Sequence, residues 1–133
     1  MEELNQLGQA IADPTRVRIL VALLQSELCV CELVDALEIS QSTLSSHLQV
    51  LRQTGMVRTR KEGRWIYYYL EKRKAALMKA LFSLFKKDID RDPGLVRDAQ
   101  RIDRRLVMRE DGRCILGFKE LEKSEAPSYA QSS

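Results

Sequence analysis

Two cysteines one residue apart, Cys29 and Cys31, are the residues of this chain best suited to chemistry. Thiolates are soft ligands that take thiophilic ions, and they also serve as redox groups. A third cysteine, Cys114, lies far along the chain. An odd number of thiols argues against a disulfide scaffold and for metal binding or redox chemistry in a reducing compartment. The pair lies directly ahead of a stretch, Glu32 to Leu51, that reads as a small DNA-binding unit. A species captured by the thiols would therefore be sensed next to a DNA reader.

Geometry constrains how the pair can act. In a regular helix, side chains two positions apart point about 200° away from each other, so Cys29 and Cys31 cannot converge on one ion there. Cys29 is expected before a short helix and Cys31 at its start. The positive end of that helix favours the thiolate. An ion held by both would need, or impose, a distorted first turn, which leads straight into the DNA-reading helix.

The elements that must position these residues follow from hydrophobic period and caps. Leu4, Leu7 and Ile11 outline a first amphipathic helix. Asp13-Pro14 supplies an N-cap and a first-turn proline for a second, running to about Gln25 with Val17, Leu20, Val21 and Leu24 on one face, widened by Ile19 and Leu23. Cys31–Leu37 is a third helix, Glu38-Ile39-Ser40 a turn, and Ser40 the cap of a fourth that ends before Gly55. Leu44, Leu48 and Leu51 anchor that helix. Its other face carries Ser42, Ser45, Ser46, Gln49 and Gln53. Val57–Lys61 and Arg64–Leu70 form a hairpin around Glu62-Gly63. Glu71 to Lys87 is helical and apolar on more than one face, a surplus that points to a subunit interface. Asp88–Gly94 reads as a charged break, and Val96, Ala99, Ile102 and Leu106 mark an extra C-terminal helix. After the turn Glu110–Arg113 comes a short apolar run from Cys114 to Phe118. The fold class is mainly α with a β-hairpin, a winged helix-turn-helix. The expected units are 1–88 for DNA binding and dimerisation, 89–119 for a C-terminal helix and the Cys114 segment, and a disordered tail at 120–133.

Two short helices, a tight turn and a helix with small polar residues outward make a helix-turn-helix pattern. Gln41, Ser42, Thr43, Ser45, Ser46 and Gln49 can read base edges or hold a phosphate. His47, the sole histidine, lies about 60° from the Leu44 stripe. It is read first as a half-buried hydrogen-bonding residue and second as a DNA contact. The hairpin adds a basic wing of Arg58, Arg60, Lys61 and Arg64. From Gln41 to Lys74 eight basic residues face only two acidic ones, Glu62 and Glu71, within a chain of net charge +3. Such a local field suits a polyanionic partner, here double-stranded DNA.

Other classes have little to stand on. There is no Cys-x-x-Cys, no phosphate-binding glycine loop and no His/Asp partner for a nucleophile, so an enzyme is not expected. No apolar run approaches the length of a membrane span, and the start, Met1-Glu2-Glu3, is acidic, so a cytoplasmic location is expected.

Three stretches, Glu27-Leu28-Cys29-Val30-Cys31-Glu32-Leu33, then Ser40 to Leu48, then Arg60-Lys61-Glu62-Gly63-Arg64-Trp65, resemble in order the ArsR/SmtB family of winged-helix repressors. The resemblance covers about residues 4–87. It implies a homodimer built on the first and last helices of the winged-helix domain, base reading by Gln41, Ser42, Ser45 and Ser46, and release from DNA when the inducer binds. Glu-Leu-Cys-Val-Cys is similar to the arsenic-responsive branch, which implies As(III), with Sb(III) as an alternative, held by thiolates. That branch's best-known motif has a third cysteine where this chain has Val34. Cys114 either completes a three-thiolate site, within or between subunits, or is a plain buried cysteine. With two thiols alone the site would suit a monosubstituted organoarsenical. A redox or persulfide switch on the same thiols is the alternative signal. Histidine is absent from the last long helix of the domain and cysteine from the N-terminal arm, unlike the zinc and cadmium/lead types.

Overall fold

The chain is described here from a computed structural model over residues 1–114. The elements run α1 Glu2–Ile11, α2 Pro14–Gln25, β1 Leu28–Cys29, α3 Val30–Leu37, α4 Gln41–Gln53, β2 Val57–Glu62, β3 Trp65–Leu70, α5 Lys72–Leu84, α6 Lys86–Arg91 and α7 Pro93–Val107. The apolar run expected after Cys114 and the tail at 120–133 lie outside the described residues.

Local chemistry sets the helix ends. The Asp13 carboxylate accepts from the Thr15 and Arg16 amides, and Pro14 takes the first position of α2. The Ser40 hydroxyl accepts from the Thr43 amide at the start of α4. At the other end of α4, Gly55 takes φ 76°, Met56 N–H reaches the Leu51 carbonyl and Gly55 N–H that of Arg52. This Schellman arrangement needs the left-handed backbone that glycine adopts without penalty. Leu44, Leu48 and Leu51 are buried beneath α4.

Four details differ from the sequence expectation. The hairpin is part of a three-stranded antiparallel sheet, order β1-β3-β2, because Leu28 and Cys29 pair with Tyr68 and Tyr67. Its two-residue loop is Gly63-Arg64, one position later than expected, with Glu62 opposite Trp65. Only the first loop residue, Gly63, has positive φ (59°), as a type II′ turn requires. In α2 the residues at the centre of the core are Ile19, Leu20 and Leu23, while Val17, Val21 and Leu24 are half-buried. The helix is covered from several sides, by α1, α4, β3 and α7, so no single stripe describes it. The segment expected to break the chain at 88–94 is instead largely α6, steadied by a Lys86–Asp90 ion pair one turn apart. The true break is Asp92, whose carboxylate caps α7 at the Leu95 amide.

The extra helix α7 lies on α2 and α3, burying Ile102. Polar bonds fix its position. Asp98, 3% exposed, accepts two 2.8 Å bonds from Arg18 and one of 2.9 Å from Arg101. The same two arginines donate to the last carbonyls of α3, Arg18 to Leu37 and Arg101 to Ala36. In contrast, α5 fully buries only Met78 and leaves Leu84 79% exposed, and Phe85, which follows it, is 52% exposed. Leu4 on α1 is 67% exposed. No described helix is long and apolar enough to cross a membrane.

Candidate functional site: a thiol cluster behind a DNA-reading helix

Cys29 is both the end of β1 and the N-cap of α3. As a strand residue it stands opposite Tyr67; as a cap its sulfur accepts from the Glu32 amide while the Glu32 carboxylate accepts from the Cys29 amide at 3.0 Å. This is a capping box with sulfur in place of the usual hydroxyl. Cys31 falls in the first turn of α3, half-buried, and with Trp65 packs at the edge of the buried cluster of Cys29, Tyr67 and Cys114. Cys114 arrives from the far end of the chain and is 2% exposed. Its amide donates to the Tyr67 hydroxyl at 2.7 Å, and an Arg105 guanidinium nitrogen lies 3.7 Å from its sulfur. The Cys29 and Cys114 sulfurs and a Glu32 carboxylate oxygen all lie within 4.8 Å of one another, and all three residues are buried. Two thiols far apart in sequence, Cys29 and Cys114, therefore converge with Glu32, while Cys31 packs at the edge of that cluster and is outside the converging group.

Burial and neighbouring groups disfavour the thiolate at Cys29 and Cys114. A hydrogen bond with Cys114 favours the Cys29 thiolate, but the Cys31 contact, burial and the Glu32 charge outweigh it and push the Cys29 thiol up to about 12. Cys114 is raised as well, by its bond with Cys29, by burial and by the neighbouring negative charge. The positive end of α3 does not dominate, because Glu32 occupies it.

Around the cluster lies a ring of arginines that sequence reasoning did not place. Arg109 grips both oxygens of Glu32, at 2.7 and 2.8 Å, and donates to the Glu27 carbonyl at 2.8 Å. Its guanidinium also faces the Tyr67 ring at 5.5 Å. Arg60 lies over the same ring at 4.5 Å and is paired with Glu27 and Glu62. Arg113 holds Glu62 at 2.6 Å, tying the wing tip to the turn that carries Cys114. Glu32 had a sequence signal, an acid three residues after a capping position. Tyr67 was visible only as one side of a strand, and Arg109 had no signal at all.

On the opposite side of the helix-turn-helix, Gln41, Ser42, Thr43, Ser45, Ser46 and Gln49 are all exposed on α4. His47 is half-buried, with Nδ1 3.4 Å from an Arg16 guanidinium nitrogen and Nε2 3.7 Å from the Asp13 carboxylate. It thus ties α4 to the start of α2. Arg58, Lys61 and Arg64 project from the wing, with Arg64 stacked on Trp65 at 4.6 Å. Arg60 differs from the other wing cations, since its guanidinium is turned to Glu27, Glu62 and Tyr67.

Comparison with known proteins decides the family. Residues 13–59 match the model of "Bacterial regulatory protein, arsR family". The chain superimposes on HlyU from Vibrio cholerae with a TM-score of 0.57 and 42% identity, covering 62% of this chain and 91% of that one. The chain belongs to the ArsR/SmtB family. It is also similar to the arsenical resistance operon repressor of Escherichia coli, 46% identical over 66 residues, which span 49% of this chain and 56% of that protein. A solution structure of the homodimeric winged helix-turn-helix domain of Mycobacterium bovis Mb0332, a possible ArsR-family regulator, matches at 27% identity with a TM-score of 0.61, over 68% of this chain and 85% of that one. As an ArsR/SmtB protein, this chain is a winged-helix DNA-binding transcriptional regulator and not an enzyme.

Proposed function

We propose that this protein is a homodimeric repressor released from its operator by trivalent arsenic, with Cys29, Cys31 and Cys114 as the ligands. One observation carries the reading: Cys114 is brought to the Cys29/Cys31 pair and buried with Cys29 beside it. Three thiolates suit a thiophilic ion that takes three ligands. Each thiol would displace one hydroxyl of arsenous acid and release one water, forming three As–S bonds with no change of oxidation state. Antimonite would react in the same way.

Two structural continuities support coupling to DNA. Cys29 and Cys31 sit at the first turn of α3, which leads into α4. Cys29 and Cys114 are also joined to the wing, through the Cys29–Tyr67 pairing and the Tyr67–Cys114 bond. Drawing the three sulfurs onto one ion would distort the first turn of α3 and pull on β3. Base reading is assigned to Gln41, Ser42, Ser45, Ser46 and Gln49, with Thr43 at the helix N-terminus near a phosphate. Arg58, Lys61 and Arg64 are assigned to the DNA backbone or minor groove. The exposed apolar residues of α1 and α5, Leu4 and Leu84 with Phe85, support a subunit interface on that side. Such a dimer would place two α4 helices about one DNA turn apart.

A promoter gel shift tests the reading. Arsenite should release the wild-type protein from DNA and leave Cys29→Ser, Cys31→Ser and Cys114→Ser bound. Release of all three variants by arsenite at the wild-type concentration would refute it. The closeness of Cys29 and Cys114 also supports a second reading, an oxidative switch forming a bridge between them. That bridge would remove two free thiols on peroxide treatment and be reversed by a dithiol reductant, whereas arsenite protection is reversed by a competing chelating dithiol without any electron transfer.

A further inference from the structure

Within that reading, we infer that the buried Arg109–Glu32 pair is a specificity device: it holds Cys114 in the site and so supplies the third thiolate that inorganic As(III) takes and that a monosubstituted organoarsenical, with two exchangeable positions, does not use. Cys29 and Cys31 belong to the start of α3 and stay together whatever the C-terminal segment does. Cys114 stands seven residues beyond the end of α7, and its position depends on what fastens that segment. One buried fastening is at Arg109. Its guanidinium forms a two-pronged bond with Glu32, at 2.8 and 2.7 Å, and a third bond to the Glu27 carbonyl. Glu32 is 1% exposed and the Arg109 side chain 12%. Removing one partner of a buried pair leaves the other charge uncompensated, so the segment would leave rather than stay with it. From Arg109 the chain closes a four-residue turn, Glu110 to Arg113, with Asp111 and Gly112 both at positive φ. That turn delivers Cys114 to Tyr67 and Cys29. The planar fork suits arginine and not lysine, because only arginine meets both carboxylate oxygens and a carbonyl at once.

Glu32 serves two ends of the device. One of its oxygens accepts from the Cys29 amide as well as from Arg109. The residue that places Cys29 is therefore also the one that anchors the segment bearing Cys114.

The test uses the full chain, with arsenite and phenylarsine oxide as the two probes. Phenylarsine oxide condenses with two thiols, forming two As–S bonds and releasing one water. Free-thiol titration and As–S absorbance read how many sulfurs each probe engages. Wild type should lose three thiols to arsenite and two to phenylarsine oxide. Arg109→Gln should weaken arsenite binding by about 10- to 100-fold, the usual effect of removing a ligand's supporting partner. Its phenylarsine oxide affinity should stay within about twofold of wild type. Arg109→Lys should fall between. Glu32→Gln keeps an acceptor for the Cys29 amide and should reproduce the Arg109→Gln pattern; it also stands in should Arg109→Gln fail to fold by circular dichroism. Equal affinity of Arg109→Gln and wild type for arsenite would overturn the inference. So would loss in Glu32→Gln alone, which would make Glu32 a ligand. If wild type itself engages only two thiols with arsenite, Cys114 is not a ligand and the reading beneath the inference fails with it.

Discussion

The Tyr67 hydroxyl accepts a 2.7 Å hydrogen bond from the Cys114 amide, joining the central strand of the wing to a cysteine 47 residues away. Tyr67 has no exposure at all, and Cys29 is its strand partner. One residue therefore links the two cysteines that are most distant in sequence. Tyr67→Phe keeps the ring and deletes the acceptor. It should cost about 1–3 kcal/mol of stability, since the Cys114 amide is left buried and unsatisfied. The phenyl ring should keep the Arg60 contact. Chemical denaturation measures the cost, and the arsenite concentration needed for half-release from DNA should rise.

Arg60 and Lys61 are neighbours on the wing with different duties. Lys61 is exposed, while Arg60 is engaged with Glu27, Glu62 and Tyr67. Lys61→Ala should weaken operator binding evenly across sequences and reduce the slope of log K against log salt by about one. Arg60→Ala should leave that slope unchanged while loosening the wing. Binding isotherms at several salt concentrations separate the two. An equal change in slope would show that Arg60 also neutralises a phosphate.

Base reading is tested on the exposed face of α4. Gln49→Ala or Ser45→Ala should lower specific affinity by about 1–3 kcal/mol, with nonspecific binding unchanged. Competition against a scrambled duplex measures both. His47→Ala should instead act through stability, because its ring faces Arg16 and Asp13.

The caps of α4 give a control that does not touch the thiols. Ser40→Ala removes the acceptor for the Thr43 amide and should cost about 1 kcal/mol. Gly55→Ala forces a side chain into φ 76° and should cost about 1–2 kcal/mol. Both should shift the denaturation midpoint and leave arsenite affinity alone.

Acid should loosen the wing from the Cys114 turn. Bonds from Arg60, then the charge of Arg113, hold the Glu62 carboxyl below its usual 4.5. A depressed folded-state value means that the tether is fully present above the unfolded value and is lost as pH falls through the lower folded one. The wing should therefore be insensitive between pH 6 and 8, an interval about two units above an ordinary carboxyl. Trp65 fluorescence should change only in acid, and Glu62→Gln should abolish that change. A Trp65 transition near neutral pH in wild type would point to another group.

Much of this molecule was legible one residue at a time. The Asp13 and Ser40 caps, the leucine anchor of α4, Gly55 and the presence of a hairpin at Gly63, though not its exact loop, are local rules acting on a few neighbours. They identify the helix-turn-helix and its polar outward face. The order Cys29-Val30-Cys31 followed by that unit places two thiols at a helix start ahead of a DNA reader, because the backbone geometry of a helix start is itself local. Two elements gave no local signal. Two residues of β1 are too short to show a period, and α6 carries too many charges to look helical until the Lys86–Asp90 pair is seen.

The chain order by itself determined which sulfurs exist, where two of them stand relative to α3, and which face of α4 is polar. It did not determine whether Cys114 meets them. That depended on α7 docking through Asp98 to Arg18 and through Arg101 to the Ala36 carbonyl, on Arg109 reaching Glu32 across 77 residues, and on Tyr67 receiving the Cys114 amide. Pairings at such separation leave no periodic trace in a sequence. They arise when burial makes an unpaired charge or amide costly, and only the packed tertiary structure decides which partner satisfies it.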